Sequence, residues 1–214
     1  MYSTVTSVLE LVPLLDNIDK NIIKSFLYKA GQLLNSHIND LYQTPIKKYV
    51  NLSGKITINS GSNVIVGFNS NFTSLSEFSF LYIPNKNKTV KLISYQNDNV
   101  GVIDEISTVS YINQDYFLLP DWISVATEFI CVNLLLNREF SRKGYNQEGI
   151  QKYKDDYKKL ADDYLYKIKT GIFYDSDLIP TNYSNNLGRL IHTENNTSNE
   201  IVDNIEFELK NIYD

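Results

Sequence analysis

Between Ile22 and Leu41 apolar residues recur at three- and four-residue steps: Ile22, Ile23, Phe26, Leu27, Ala30, Leu33, Leu34, Ile38 and Leu41. This is the stripe of an amphipathic helix, predicted over residues 18–43. Lys20, Lys24, Lys29, Asn35 and Asp40 take the opposite face. Gly31 inside the helix costs roughly 1 kcal/mol against alanine, so it either permits a close contact or is tolerated. Thr44-Pro45 ends the helix, because the residue before proline is pushed out of the α region. Before it, Val8, Leu9, Leu11, Val12, Leu14 and Leu15 make a short helix or an extended arm, which Pro13 interrupts.

The pattern then changes period. From Gly54 to Ile103 short β-rich runs alternate with turns at Ser60–Asn63, Asn85–Lys88 and Gln96–Asn99. That predicts a small all-β module of five or six strands within 53–112. The most apolar stretch of the chain follows, Pro120 to Asn137. Proline at the first helical position, with Asp121 beside it, marks a helix start. Its apolar residues fall on nearly every face, so it is predicted to be the central core helix, wrapped by others. It is no membrane span, being shorter than the ~20 apolar residues required and interrupted by Glu128 and Asn133.

Beyond a polar break at Ser141–Gly144, Ile150, Tyr153, Tyr157, Leu160, Ala161, Tyr164, Leu165 and Ile168 form one face of a helix over 147–170, capped by Gly171. The pattern decays afterwards. Residues 182–199 are rich in Asn, Ser and Thr, and Ile201, Ile205, Phe207, Leu209 and Ile212 regain only some recurrence. A segment so poor in apolar residues is expected to order against a partner. The fold class expected is therefore α+β: an antiparallel bundle of three main helices with a small all-β insertion, barrel or sandwich, and an extended C-terminal tail. The expected division is a helical domain in two pieces, 1–49 and 114–175, an inserted β domain, 50–113, and an arm, 176–214.

Composition narrows the function. A net charge of −5 argues against a general nucleic-acid binder, which needs a basic patch for phosphates. The single Cys131 cannot form an internal disulfide and sits in the apolar helix as a small hydrophobe. No signal-peptide pattern opens the sequence, and a protein made in a reducing cytosol is expected.

No catalytic, cofactor-binding or metal-ligating residue is expected. His37 lies beside the apolar stripe and His192 in the polar tail, neither with a second ligand at metal spacing. Asp155-Asp156 and Asp162-Asp163 alternate with lysines, the signature of a solvated, salt-bridged helix face. The Gly-Ser turn at 60–63 and Gly67 lack the Gly-Lys-Ser/Thr of a phosphate loop. No Gly-x-Ser-x-Gly elbow occurs. Tyr153, Tyr157 and Tyr164, at helical spacing, read as packing residues.

Three stretches carry a resemblance: Phe26-x3-Ala30-x2-Leu33-Leu34-x3-Ile38-x2-Leu41-Tyr42-x2-Pro45, Leu119-Pro120-Asp121, and Tyr153-x6-Leu160-x4-Leu165-x2-Ile168-x2-Gly171. Over residues 5–45 and 115–175 the pattern resembles the helical, ring-forming head–tail connector (adaptor) proteins of tailed bacteriophages. Separately, Gly54-Lys55-Ile56-Thr57-Ile58-x2-Gly61-Ser62-x-Val64-x-Val66-Gly67-x4-Phe72 resembles β repeats of phage structural proteins. Compact adaptors lack such an insertion.

The resemblance implies a structural virion protein at the head–tail interface, assembled in the host cytoplasm. It implies a dodecameric ring docked under the portal protein and followed by downstream neck or tail proteins. Genomic DNA would pass through the lumen without sequence-specific binding. No enzymatic activity, cofactor or membrane is expected. The alternative is a virion-associated binding module whose β insertion recognises a glycan or another surface ligand. Exposed aromatics among Phe68, Phe72, Phe78, Phe80 and Tyr82 would favour it, although their spacing suits a core.

Overall fold

A computed structural model describes residues 1–46, 54–143, 147–173, 175, 178–179 and 181. Among these residues are four α-helices and seven strands, and the α+β class holds. The helices are α1 (Val5–Leu11), α2 (Lys20–Ile38), α3 (Asp121–Lys143) and α4 (Gln147–Lys169). Local signals explain their ends. Thr4 caps α1, its hydroxyl accepting from the Ser7 amide at 3.3 Å, and Asp19 caps α2, accepting from the Asn21 amide at 2.8 Å. Gly171 follows α4 at φ +72°, a left-handed position that glycine takes without strain. The helix expected to reach residue 43 stops at Ile38, and Leu41 and Tyr42 turn back, both amides bonding to the Ile38 carbonyl.

The strands are β1 (Lys55–Ile58), β2 (Val64–Phe68), β3 (Phe80–Ile83), β4 (Lys88–Asn97), β5 (Val100–Ile103), β6 (Tyr111–Gln114) and β7 (Phe117–Leu118). They form one antiparallel sheet in the order β6-β1-β2-β5-β4-β3-β7. The two edge strands are successive in the chain, with only Asp115 and Tyr116 between them. The sheet must therefore curl until its edges nearly meet, which leaves little open edge. Seven strands exceed the five or six expected, and the sheet continues to Leu118, past residue 113, because β7 comes from the lead-in to α3.

Two apolar clusters result. Ile56, Ile58, Ile65, Phe72, Leu81, Ile83, Leu92, Ile103 and Tyr116 fill the inside of the curled sheet. The other cluster gathers the helices: Ile23, Leu27, Ala30, Leu34 and Ile38 of α2, Ile123, Ala126, Ile130 and Leu135 of α3, and Ala161 and Ile168 of α4. Helix α3 packs against both α2 and α4 and also meets α1. Strand β3 is buried at every position, since Leu81 and Ile83 face the sheet interior while Phe80 and Tyr82 join the helical cluster. A strand covered on both faces reads as continuous apolar sequence rather than alternation.

The start of the chain runs through the joint. Met1, Tyr2, Ser3 and Thr4 are all buried. Tyr2 packs its ring 5.3 Å from that of Tyr82, donates its hydroxyl to Asn35 at 2.7 Å and accepts from the Ile46 amide at 3.0 Å. Thr89 donates to the Met1 carbonyl at 2.6 Å. An added Cβ on Gly31 would lie 3.7 Å from Met1 Cα, an ordinary contact, so Gly31 meets this segment closely without being obligatory there. No helix among the described residues is long and apolar enough to cross a membrane.

Candidate functional site

A cleft of about 440 Å³ opens where α1, α3 and the sheet meet. Its walls come from four separate stretches: Ser7, Glu10 and Leu11 of α1, the segment Ser76–Phe80, Lys91 of β4, and Asp121, Val125 and Glu128 of α3. The size is that of an ordinary small-ligand pocket.

Glu128 is the most perturbed acid of the cleft. It is 6% exposed, and Ser3 donates to its Oε1 at 2.5 Å. Burial pushes its carboxyl up to about 7, against the opposing pull of the Ser3 hydrogen bond and the Lys91 charge. Lys91, itself 8% exposed, binds Glu10 at 2.6 Å, and its ammonium lies 5.5 Å from the Phe78 ring centre and 5.9 Å from that of Phe80. Behind it, Asp104 accepts from the Thr4 hydroxyl at 2.5 Å and the Lys91 amide at 3.2 Å, and burial raises its carboxyl. Phe78 sits at φ +67°, a position bulky side chains rarely adopt, with 56% of its surface exposed. The Phe78 amide donates to the Leu92 carbonyl at 2.7 Å and the Leu92 amide to the Ser79 carbonyl at 2.8 Å, which holds the turn in place.

A buried carboxyl that titrates near neutrality can exchange protons, and such groups cluster at functional sites. Its Ser3 partner is fully buried, while Glu128 itself lines the cleft. No group of three or more His, Cys, Asp or Glu among the described residues could hold a metal ion.

The residues weighed in the sequence fall elsewhere. His37 is half-buried on α2, and burial, then the Lys169 charge, lowers its pKa. His192 lies outside the described residues, as does most of the expected arm. Asp155, Asp156, Asp162 and Asp163 are exposed on α4; Gln151 donates to Asp155 at 3.0 Å and Asp163 pairs with Lys167 at 2.7 Å. Tyr157 and Tyr164 pack their rings on Phe129, at 6.0 and 5.2 Å, whereas Tyr153 is half exposed. Cys131 is buried, and burial raises its thiol.

Of the five candidate platform aromatics, Phe72, Phe80 and Tyr82 are buried and only Phe68 and Phe78 are exposed. Those two line different clefts, Phe68 sharing the second with the Lys55–Asp115 ion pair, so they form no common platform. The outer face of the sheet is nonetheless apolar. Val64 and Val66 pair with Val102 and Val100 across strands, and Phe68 and Ile112 are 71% and 65% exposed.

The cleft is the part sequence reading missed. Glu128 carried the one local signal, an acid in the most apolar run of the chain. No family model, curated protein or solved structure matches this chain.

Proposed function

We propose that the protein is a structural virion component: a head–tail adaptor of a tailed bacteriophage, ring-forming, seated between the portal protein and the downstream neck or tail proteins, without enzymatic activity. The observation that carries this reading is the mutual packing of the three helices that hold the resembling residues. Ala30, Leu34, Ile38 and Tyr42 of the first stretch and Ile168 of the last are buried in the helical cluster, with Phe26, Leu41 and Leu165 packed against it. On this reading α2, α3 and α4 are the adaptor bundle and the sheet is an insertion between α2 and α3, with residues 176–214 as the arm.

Resembling residues that the chain leaves exposed, Leu33, Tyr153 and Leu160, supply apolar surface for a neighbouring subunit. So does the outer face of the sheet. A head-to-tail contact that closes on itself makes a ring. A net charge of −5 keeps the lumen from gripping the DNA that passes through it. The glycan-binding alternative lacks a gathered aromatic platform, and no other observation favours it.

Light scattering of the purified protein, alone and with the portal protein of the same genome, tests the role. The expected result is a ring-sized mass, or a monomer that joins the portal stoichiometrically. A monomer that ignores the portal refutes the adaptor role.

A further inference from the structure

We propose that the outer face of the curled sheet pairs with the same face of a second copy of this chain, about a two-fold axis that lies between the two sheets and across their strands. The inference stands on the sheet alone and does not need the adaptor reading, which closes a ring through head-to-tail contacts.

Extent comes first. Val64, Val66 and Phe68 of β2 are exposed, with Val102 and Val100 of β5 opposite the two valines. On the other side Val66 sits opposite Thr57 of β1, whose hydroxyl accepts from the Asn113 amide at 3.1 Å, next to the exposed Ile112. The apolar surface therefore spans four adjacent strands. At its Val64 end lies the loop that carries two more exposed residues, Ile106 and Val109. That loop is tied to the turn between β1 and β2: the Ser107 amide donates to the Ser62 carbonyl at 2.9 Å, and the Gly61 amide to the Ser107 carbonyl at 2.7 Å. Val64, Val66, Phe68, Ile106, Val109 and Ile112 together leave on the order of 600 Å² in water, the top of the range for the largest apolar patch of a monomer. With a polar rim this reaches the ~800 Å² that each partner gives to a standard protein interface.

Charge then decides the occupant. Strands β1, β2, β5 and β6 contain one charged residue between them, Lys55, and Asp115 neutralises it at 2.7 Å. A polyanion, or a strongly charged peptide, finds nothing here to pair with. Contacts between copies of one chain are the interfaces in which apolar area rises and charge is depleted. A face without net charge does not repel itself, and rows of β-branched side chains from two such sheets interdigitate when the sheets stack ~10 Å apart.

The same ion pair selects the axis. Lys55 lies opposite Phe68, at one end of β2. An axis along the strands would set the two Lys55 ammonium groups side by side. An axis across the strands sends them to opposite ends and lays each Phe68 over Ile106 and Val109 of the other copy.

The test is sedimentation velocity of the purified full chain across a wide range of concentrations, because a pairing equilibrium depends on protomer concentration. The expected mass is twice the 24.7 kDa of one chain, or an even multiple where rings also form, and Val66→Asp should halve it. Phe68 is exposed, so Phe68→Ser keeps the fold and should do the same even if Val66→Asp fails to fold. Leu160→Asp, on the exposed side of α4, should leave the pairing intact. In an oxidised mixture, Phe68→Cys chains should cross-link to Ile106→Cys chains in preference to each other. A wild-type chain that stays monomeric overturns the pairing. So does a ring-sized or portal-bound particle whose mass Val66→Asp and Phe68→Ser leave unchanged, an outcome under which the adaptor role still stands. Preferential coupling of Phe68→Cys to itself overturns the axis.

Discussion

Glu128→Gln should stabilise the protein at alkaline pH and leave it unchanged in acid. The carboxyl rises from 4.5 to about 7 on folding, mainly through burial. A raised carboxyl pKa means that the native state holds the proton more tightly than the unfolded chain does. Stability from this group is therefore complete below about pH 4.5, falls as pH rises towards 7, and is constant above that. At 1.36 kcal/mol per pKa unit the loss is about 3 kcal/mol. Because the side chain is 6% exposed, solvent screening removes little of it. Glutamine keeps the shape and the oxygen that accepts from Ser3, and has no charge to bury. Urea unfolding of both proteins from pH 4.5 to 8 isolates the effect, since Asp104 and His37 titrate in both and cancel in the difference. Glu128→Gln should match wild type at pH 4.5 and exceed it by about 3 kcal/mol at pH 8. Parallel stability curves across this range would refute the reasoning, and so would a mutant less stable at every pH.

Three further outcomes are expected. Tyr2→Phe removes the hydroxyl between Asn35 and the Ile46 amide, leaving both short of a partner in a buried place; a cost of about 1–3 kcal/mol should appear in the urea midpoint. Cys131 is buried with a raised thiol, so a thiol reagent should label it at the rate of unfolding and not faster, and rapid labelling of native protein would contradict its placement in the core. Phe78→Asn relieves the left-handed backbone, which asparagine tolerates, and should raise stability by about 1 kcal/mol; a lower unfolding midpoint would mean that the ring's contact with Lys91 outweighs the strain.

Much of the fold was legible because its elements announce themselves locally. The three- and four-residue spacing of Ile23, Leu27, Ala30, Leu34 and Ile38 is the buried stripe of α2. Pro120 and Asp121 start α3, and Gly171 ends α4. The turns between β1 and β2, β3 and β4, and β4 and β5 fall where polar runs placed them. What escaped has a common cause. Strand β7 is two residues long, and only its partners Leu81 and Tyr82 make it a strand. Ser3 and Thr4 look like a polar start, yet both are fully buried because Glu128 and Asp104 accept their hydroxyls.

That common cause also explains where the candidate site lies. A helix and a curled sheet cannot match their surfaces everywhere, and at this joint the mismatch is filled by polar groups from distant stretches: Ser3 with Glu128, Thr4 with Asp104, Glu10 with Lys91. Hydrogen bonding satisfies most of them, but it leaves Glu128 with a raised pKa beside open space. An apolar replacement of the whole layer would avoid that cost. Local periodicity cannot reveal such a layer, because each residue looks ordinary in its own segment. An acid in the most apolar helix is the trace it leaves in sequence. In the structure that trace marks a carboxyl that is buried, held by Ser3 and set at the edge of an open cleft.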